Sequence, residues 1–111
     1  MVSTGRAAQL LKAMAHPVRL RILRELLKGV KCVSDLEEFL SLSQPNVSQH
    51  LGLLRAQGII DYYMDGRLRC YFLVEPVVAE LLQVLQKEHY SPLARPSCCP
   101  VSKRGKYPQR R

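Results

Sequence analysis

Apolar residues recur through the first half of the chain at helical spacing, and later at alternate positions. Residues Ala7 to Ala15 are good helix formers. Pro17 then stands where a first-turn proline belongs, its missing N–H being unpaired there in any case. It opens a run in which Val18, Ile22, Leu23, Leu26 and Leu27 share one face. Gly29 ends that helix, and a short one is expected over Val33 to Leu40, with Leu36, Phe39 and Leu40 apolar and Ser34 or Asp35 near its start. After the polar turn Ser41 to Ser43, the pattern predicts a helix from Gln44 to Gln57, with Pro45 in its first turn and Gly58 as its stop. At about 100° per residue, Val47, Leu51 and Leu54 cluster on one side, while Pro45, Ser48, Gln49 and Gly52 project from the other.

After Gly58 the period changes to two. Ile59 to Met64 and Leu68 to Val74 are rich in β-branched and aromatic residues, and Asp65-Gly66 between them is a strong two-residue hairpin turn. Glu75-Pro76 starts a last helix through about His89, with Val77, Leu81, Val84 and Leu85 as its apolar stripe. The expected fold is mainly α with a small β-hairpin, in the order ααααββα. Beyond Tyr90 the composition shifts to prolines, basic residues and small polar residues, which bury too little apolar area to offset the ordering of the backbone. One domain over 1–90 with a flexible basic tail over 91–111 is therefore expected.

Composition changes this picture in three ways. A chain of 111 residues suits one small domain, which buries only about 60–70% of its unfolded surface, so a dimer would add stability. The formal charge of +8 invites a nucleic-acid partner, but its distribution weakens that inference. Six of the 17 basic residues, Arg95, Lys103, Arg104, Lys106, Arg110 and Arg111, lie after Tyr90 with no acid among them, which leaves eleven basic and nine acidic residues in the body. Third, the four cysteines are spaced unlike a secreted disulfide framework, and no stretch reaches the roughly 18 apolar residues of a membrane span. A soluble, cytoplasmic protein with free thiols and no membrane partner is expected.

Two helices joined by a tight turn suit duplex DNA, because the major groove, about 12 Å wide, accepts one helix whose outward side chains reach base edges. On the Gln44 to Gln57 helix, Gln44 and Gln49 are placed to pair with bases and Ser48 to donate to base or phosphate. The first-turn amides near Pro45 and Asn46 suit a phosphate. His50 lies at the rim of the buried face, where contact with the DNA backbone and packing beside the core are equally good readings. Arg67 and Arg69 follow the hairpin turn on one face of their strand and make the hairpin a wing. DNA binding of this kind needs no cofactor.

The chain resembles the ArsR/SmtB family of metal- and thiol-responsive bacterial repressors over roughly residues 5 to 90. The residues that carry the resemblance are Ala15-His16-Pro17-Val18-Arg19-Leu20-Arg21-Ile22-Leu23, the stretch from Leu42 to Leu54, Gly58-Ile59-Ile60 and the Asp65-Gly66-Arg67 wing tip. The resemblance implies a winged helix-turn-helix homodimer formed by the first and last helices. It also implies a palindromic double-stranded operator that is released when an inducer binds, with Gln44, Pro45, Ser48 and Gln49 facing the groove.

The inducer is decided by ligands rather than by fold. Family members that sense zinc place Asp and His on the last helix, where this chain has Glu75, Glu80, Glu88 and His89 without the paired His spacing. Arsenite sensors carry a Cys-Val-Cys-Asp-Leu-Cys pattern, of which Cys32-Val33-Ser34-Asp35-Leu36-Glu37 keeps only Cys32. The vicinal pair Cys98-Cys99 lies on a basic segment that favours thiolate, and two or three thiolates suit trivalent arsenic or antimony. A third ligand would be Cys32, Cys70 or a cysteine of the other subunit, and a two-thiol site favours a methylated trivalent arsenical. The bland readings are unconstrained tail thiols for Cys98 and Cys99, and a small core residue for Cys70. A persulfide or redox sensor of the same fold, working by cysteine oxidation, is the rival within this class. An enzyme is disfavoured, because the chain has no Cys-x-x-Cys, nucleotide loop or His-rich cluster. A winged module that binds protein rather than DNA is a third class.

Overall fold

A computed structural model describes residues 1–87. In chain order these form α1 (Thr4–Met14), α2 (Pro17–Lys28), β1 (Lys31–Cys32), α3 (Val33–Leu40), α4 (Gln44–Ala56), β2 (Ile60–Asp65), β3 (Leu68–Leu73) and α5 (Pro76–Gln86). The far end of the last helix at His89, the residues from Ser91 onward and the Cys98-Cys99 pair lie outside the described residues.

The helix starts follow local chemistry. Ser3 accepts a hydrogen bond from the Arg6 N–H at 3.1 Å, so α1 begins at Thr4, three residues before the run of helix formers read from the sequence. Proline occupies the first turn of α2, α4 and α5. Ahead of α2 the His16 Nδ1 accepts from the Val18 N–H at 3.1 Å, an N-cap made by an imidazole. Helix α3 stops at Ser41, a left-handed residue at φ 55°, and the chain turns sharply into α4.

The sheet is larger than the expected hairpin. β2 and β3 pair antiparallel from Ile60↔Leu73 to Asp65↔Leu68 around the Asp65-Gly66 turn. β1 adds on the other side of β3, in the order β1-β3-β2, with Lys31↔Tyr71 and Cys32↔Cys70 in register. Two residues carry no readable alternation, so this strand was invisible to a period-two pattern.

The core is apolar throughout, with Ile22, Leu23, Val47, Leu51, Leu54, Ile59, Val78 and Leu82 fully buried. On α5 the sequence stripe needs correcting. Val78 and Leu82 face the core, Val77 and Leu81 are partly buried, and Val84 and Leu85 are exposed. This helix is apolar on nearly every side, so periodicity could not select the inward face. Of the three apolar positions read on α3, Leu36 and Leu40 are buried and Phe39 is exposed, with the Arg21 guanidinium 5.2 Å from its ring centroid.

One side chain ties three segments together. The Arg6 guanidinium donates to the Gln57 carbonyl at 2.7 Å and pairs with the Glu75 carboxylate at 3.6 Å, joining α1 to the end of α4 and the foot of α5. No helix of the described residues is long and apolar enough to cross a membrane.

Candidate nucleic-acid interface

Helix α4 presents two chemically distinct sides. Val47, Leu51 and Leu54 are buried, whereas Gln44, Pro45, Asn46, Ser48 and Gln49 are exposed. Its first-turn amides have no partner within the helix and sit at the positive end of its dipole, a suitable seat for a phosphate. The exposed hydrogen-bonding residues therefore stand on a helix whose other face is fixed by packing.

The wing comes to the same side. Gln44 and Ser48 of α4, Ser34 and Glu37 of α3, and Arg67 and Arg69 of the hairpin line one open groove of about 410 Å3. Arg67, Leu68 and Arg69 are all exposed. Ser34 and Glu37 were passed over in the sequence; their signal was a polar i,i+3 pair beside the turn. Glu37 brings a carboxylate to a groove otherwise suited to phosphate. Such a group accepts from a base amine but repels the backbone, so it favours base-edge contact.

Arg69 is held as well as exposed. Its guanidinium lies 4.9 Å from the Tyr62 ring centroid, and the Arg55 guanidinium lies 4.7 Å from the same ring. Arg55 also donates to Asp61 at 3.0 Å, and this bond holds the Asp61 carboxyl below its usual range. The last turn of α4 is thus stapled to the base of the wing. His50 is half-buried, with its ring 4.6 Å from that of His16. Burial holds His50 below the usual histidine range, and His16 and Arg19 lower it further.

A profile described as bacterial regulatory protein, arsR family, matches residues 16–62. The biofilm growth-associated repressor of Agrobacterium fabrum is 41% identical over 78 residues, covering 70% of this chain and 67% of that protein. The chain belongs to the arsR family. Members and structural neighbours are DNA-binding transcriptional regulators rather than enzymes. The structure of HlyU from Vibrio cholerae superposes with a TM-score of 0.72 at 36% identity, covering 74% of this chain and 89% of that one. HlyU is also known in a reduced form. A homodimeric winged helix-turn-helix DNA-binding domain from Mycobacterium bovis superposes with a TM-score of 0.68 at 26% identity, covering 74% and 76%.

The cysteines of this arsR-family chain are distributed unevenly. Cys32 is partly exposed at the start of α3, where its N–H donates to Asp35 Oδ2 at 3.3 Å and its Sγ donates to the same oxygen at 2.9 Å. This bond, with the backbone bond beside it, holds the Asp35 carboxyl below its usual range. Cys70 is buried, 8% exposed, on the face of β3 opposite Tyr71. No group of three His, Cys, Asp or Glu side chains at metal-binding spacing occurs among the described residues.

Proposed function

We propose that this regulator is a transcriptional repressor that holds a double-stranded operator as a homodimer and lets go when trivalent arsenic or antimony binds its thiolates. The observation that carries the DNA half is the shared groove of Gln44, Ser48, Arg67 and Arg69. In this reading Gln44, Ser48 and Gln49 read base edges, the first-turn amides of Gln44 and Asn46, on either side of Pro45, seat a phosphate, and Arg67 and Arg69 grip the backbone beside the site. His50 supports α4 from behind, through His16, more than it reaches DNA.

The dimer half is supported by an apolar hollow of about 250 Å3 between α1, α2 and α5, lined by Leu11, Met14, Leu20, Leu81 and Leu85. Leu11 and Leu85 are more than half exposed, an arrangement that water disfavours and a second copy would cover.

The inducer half rests on the vicinal Cys98-Cys99 pair, with Cys32 as the third thiolate for an inorganic ion. Metalloid capture shifts the dimer away from its DNA-competent geometry, and a coupling of about 1–3 kcal/mol gives about 5- to 150-fold derepression. Sensing by cysteine oxidation is the second reading, favoured by a neighbour known in a reduced form. Arsenite and a persulfide donor, titrated separately against operator-bound protein, distinguish the two: release by persulfide alone rejects the metalloid reading, and failure to bind the promoter fragment at moderate salt rejects both.

A further inference from the structure

Cys32 of β1 and Cys70 of β3 are register partners, and Tyr63 of β2 is the partner of Cys70 on its other side. The three residues therefore form one row across the sheet and project from the same face. Phe72 follows Cys70 on that face, with its ring centroid 5.9 Å from that of Tyr63. Two thiols thus stand side by side with an aromatic pair adjoining them. Cys32 is partly exposed and Tyr63 is 50% exposed, so the row is open to solvent at both ends.

Spacing decides what two such thiols can do. Directly opposed residues in an antiparallel ladder have Cβ atoms about 4.5–5.5 Å apart. A disulfide wants about 3.5–4.5 Å. Inserting one soft atom between the two sulfurs lengthens the link and suits the wider spacing without moving the strands.

We propose that Cys32 and Cys70 form a second thiol site, separate from Cys98-Cys99, that binds one monosubstituted trivalent organoarsenical, with its organic group against Tyr63 and Phe72. The bonding is a substitution without change of oxidation state. Two As–S bonds form, two As–O bonds break, and the two thiol protons leave with the two hydroxyls as water. Arsenic keeps its one carbon substituent and needs no third sulfur. Asp35 Oδ2, which now accepts the Cys32 Sγ–H, loses that donor when the sulfur is engaged, so binding also loosens the cap of α3. The site uses no residue of the tail pair, shares Cys32 with the inorganic-ion site proposed above, and otherwise rests on the proposed function only for its class of ligand.

The test uses the full chain carrying Cys98→Ser and Cys99→Ser, treated with phenylarsine oxide and read by intact mass and by free-thiol titration. One phenylarsenic adduct with loss of two thiols is expected. Adding Cys32→Ser, which places a good capping residue at a partly exposed position, should lower affinity at least a hundredfold, as should Cys70→Ser. No adduct in the tail variant, equal uptake after Cys32→Ser, or a Cys32–Cys70 disulfide under mild oxidant in place of uptake would each overturn the site. Arsenite release of operator from wild type and from the tail variant is a separate readout, and it tests the proposed function without touching this one.

Discussion

The imidazole of His50, on the helix that faces the groove, leans on that of His16, the residue that caps α2, with centroids 4.6 Å apart and planes tilted by 48°. A protonated His50 would be placed against a ring that already accepts from the Val18 N–H and close to Arg19. Burial above all, and these two neighbours after it, therefore keep His50 neutral to a lower pH in the folded chain than in the unfolded chain. As pH falls below the ordinary histidine range the unfolded state takes up the proton first, and stability drops until the folded state is protonated too. Thermal unfolding followed from about pH 7.5 to about pH 5.5 should show a larger loss in Tm for wild type than for His50→Gln. Parallel curves would remove His50 from the account.

The groove predicts two kinds of defect. Arg67→Ala should weaken operator binding across all sequences and reduce the slope of log affinity against log salt by about one, as expected for one lost phosphate contact. Gln49→Ala should cost about 1–3 kcal/mol on the cognate operator and leave that slope unchanged. Fluorescence anisotropy at several salt concentrations separates the two. A change of slope with Gln49→Ala would move that residue from the bases to the backbone.

Leu85→Glu places a charge in the apolar hollow between α1, α2 and α5 without disturbing the buried Val78 and Leu82. Light scattering should find a folded monomer at concentrations where the parent chain is a dimer. An unchanged mass would relocate the dimer seam.

Two glycines should respond in opposite directions. Gly66, at the wing tip, has φ +61° and nothing near its missing Cβ, so Gly66→Ala costs only backbone strain, about 1–2 kcal/mol. Gly52 lies inside α4 with open space at the same position, and Gly52→Ala should stabilise by about 0.5–1 kcal/mol. Urea unfolding midpoints check both signs.

Most of the fold was legible because its signals are local. Pro17, Pro45 and Pro76 mark helix starts, Asp65-Gly66 marks the turn, and the buried side of α4 was set by Val47, Leu51 and Leu54. What escaped was either too short or too uniform. β1 offers two residues, and its existence depends on an edge of β3 some forty positions away. The inward face of α5 could not be chosen while both faces were apolar. At the site, the outward residues of α4 were read correctly as exposed. Periodicity within single elements could not reveal that Ser34 and Glu37 share their groove, or that Cys32 faces Cys70, since both depend on packing between elements.

Arg6 gives the molecule a transmission. With α1 at the proposed subunit seam, its guanidinium grips the last carbonyl of α4's exit and the foot of α5 at once. In the proposed dimer, a small rotation of one subunit against the other would be handed to the far end of the groove-facing helix through this one guanidinium. In a dimer spanning half-sites about 34–36 Å apart, a few degrees at the seam become a change in the distance between two reading heads. On the proposed reading the operator would act as a ruler, and repression would end when the protein no longer matched its length.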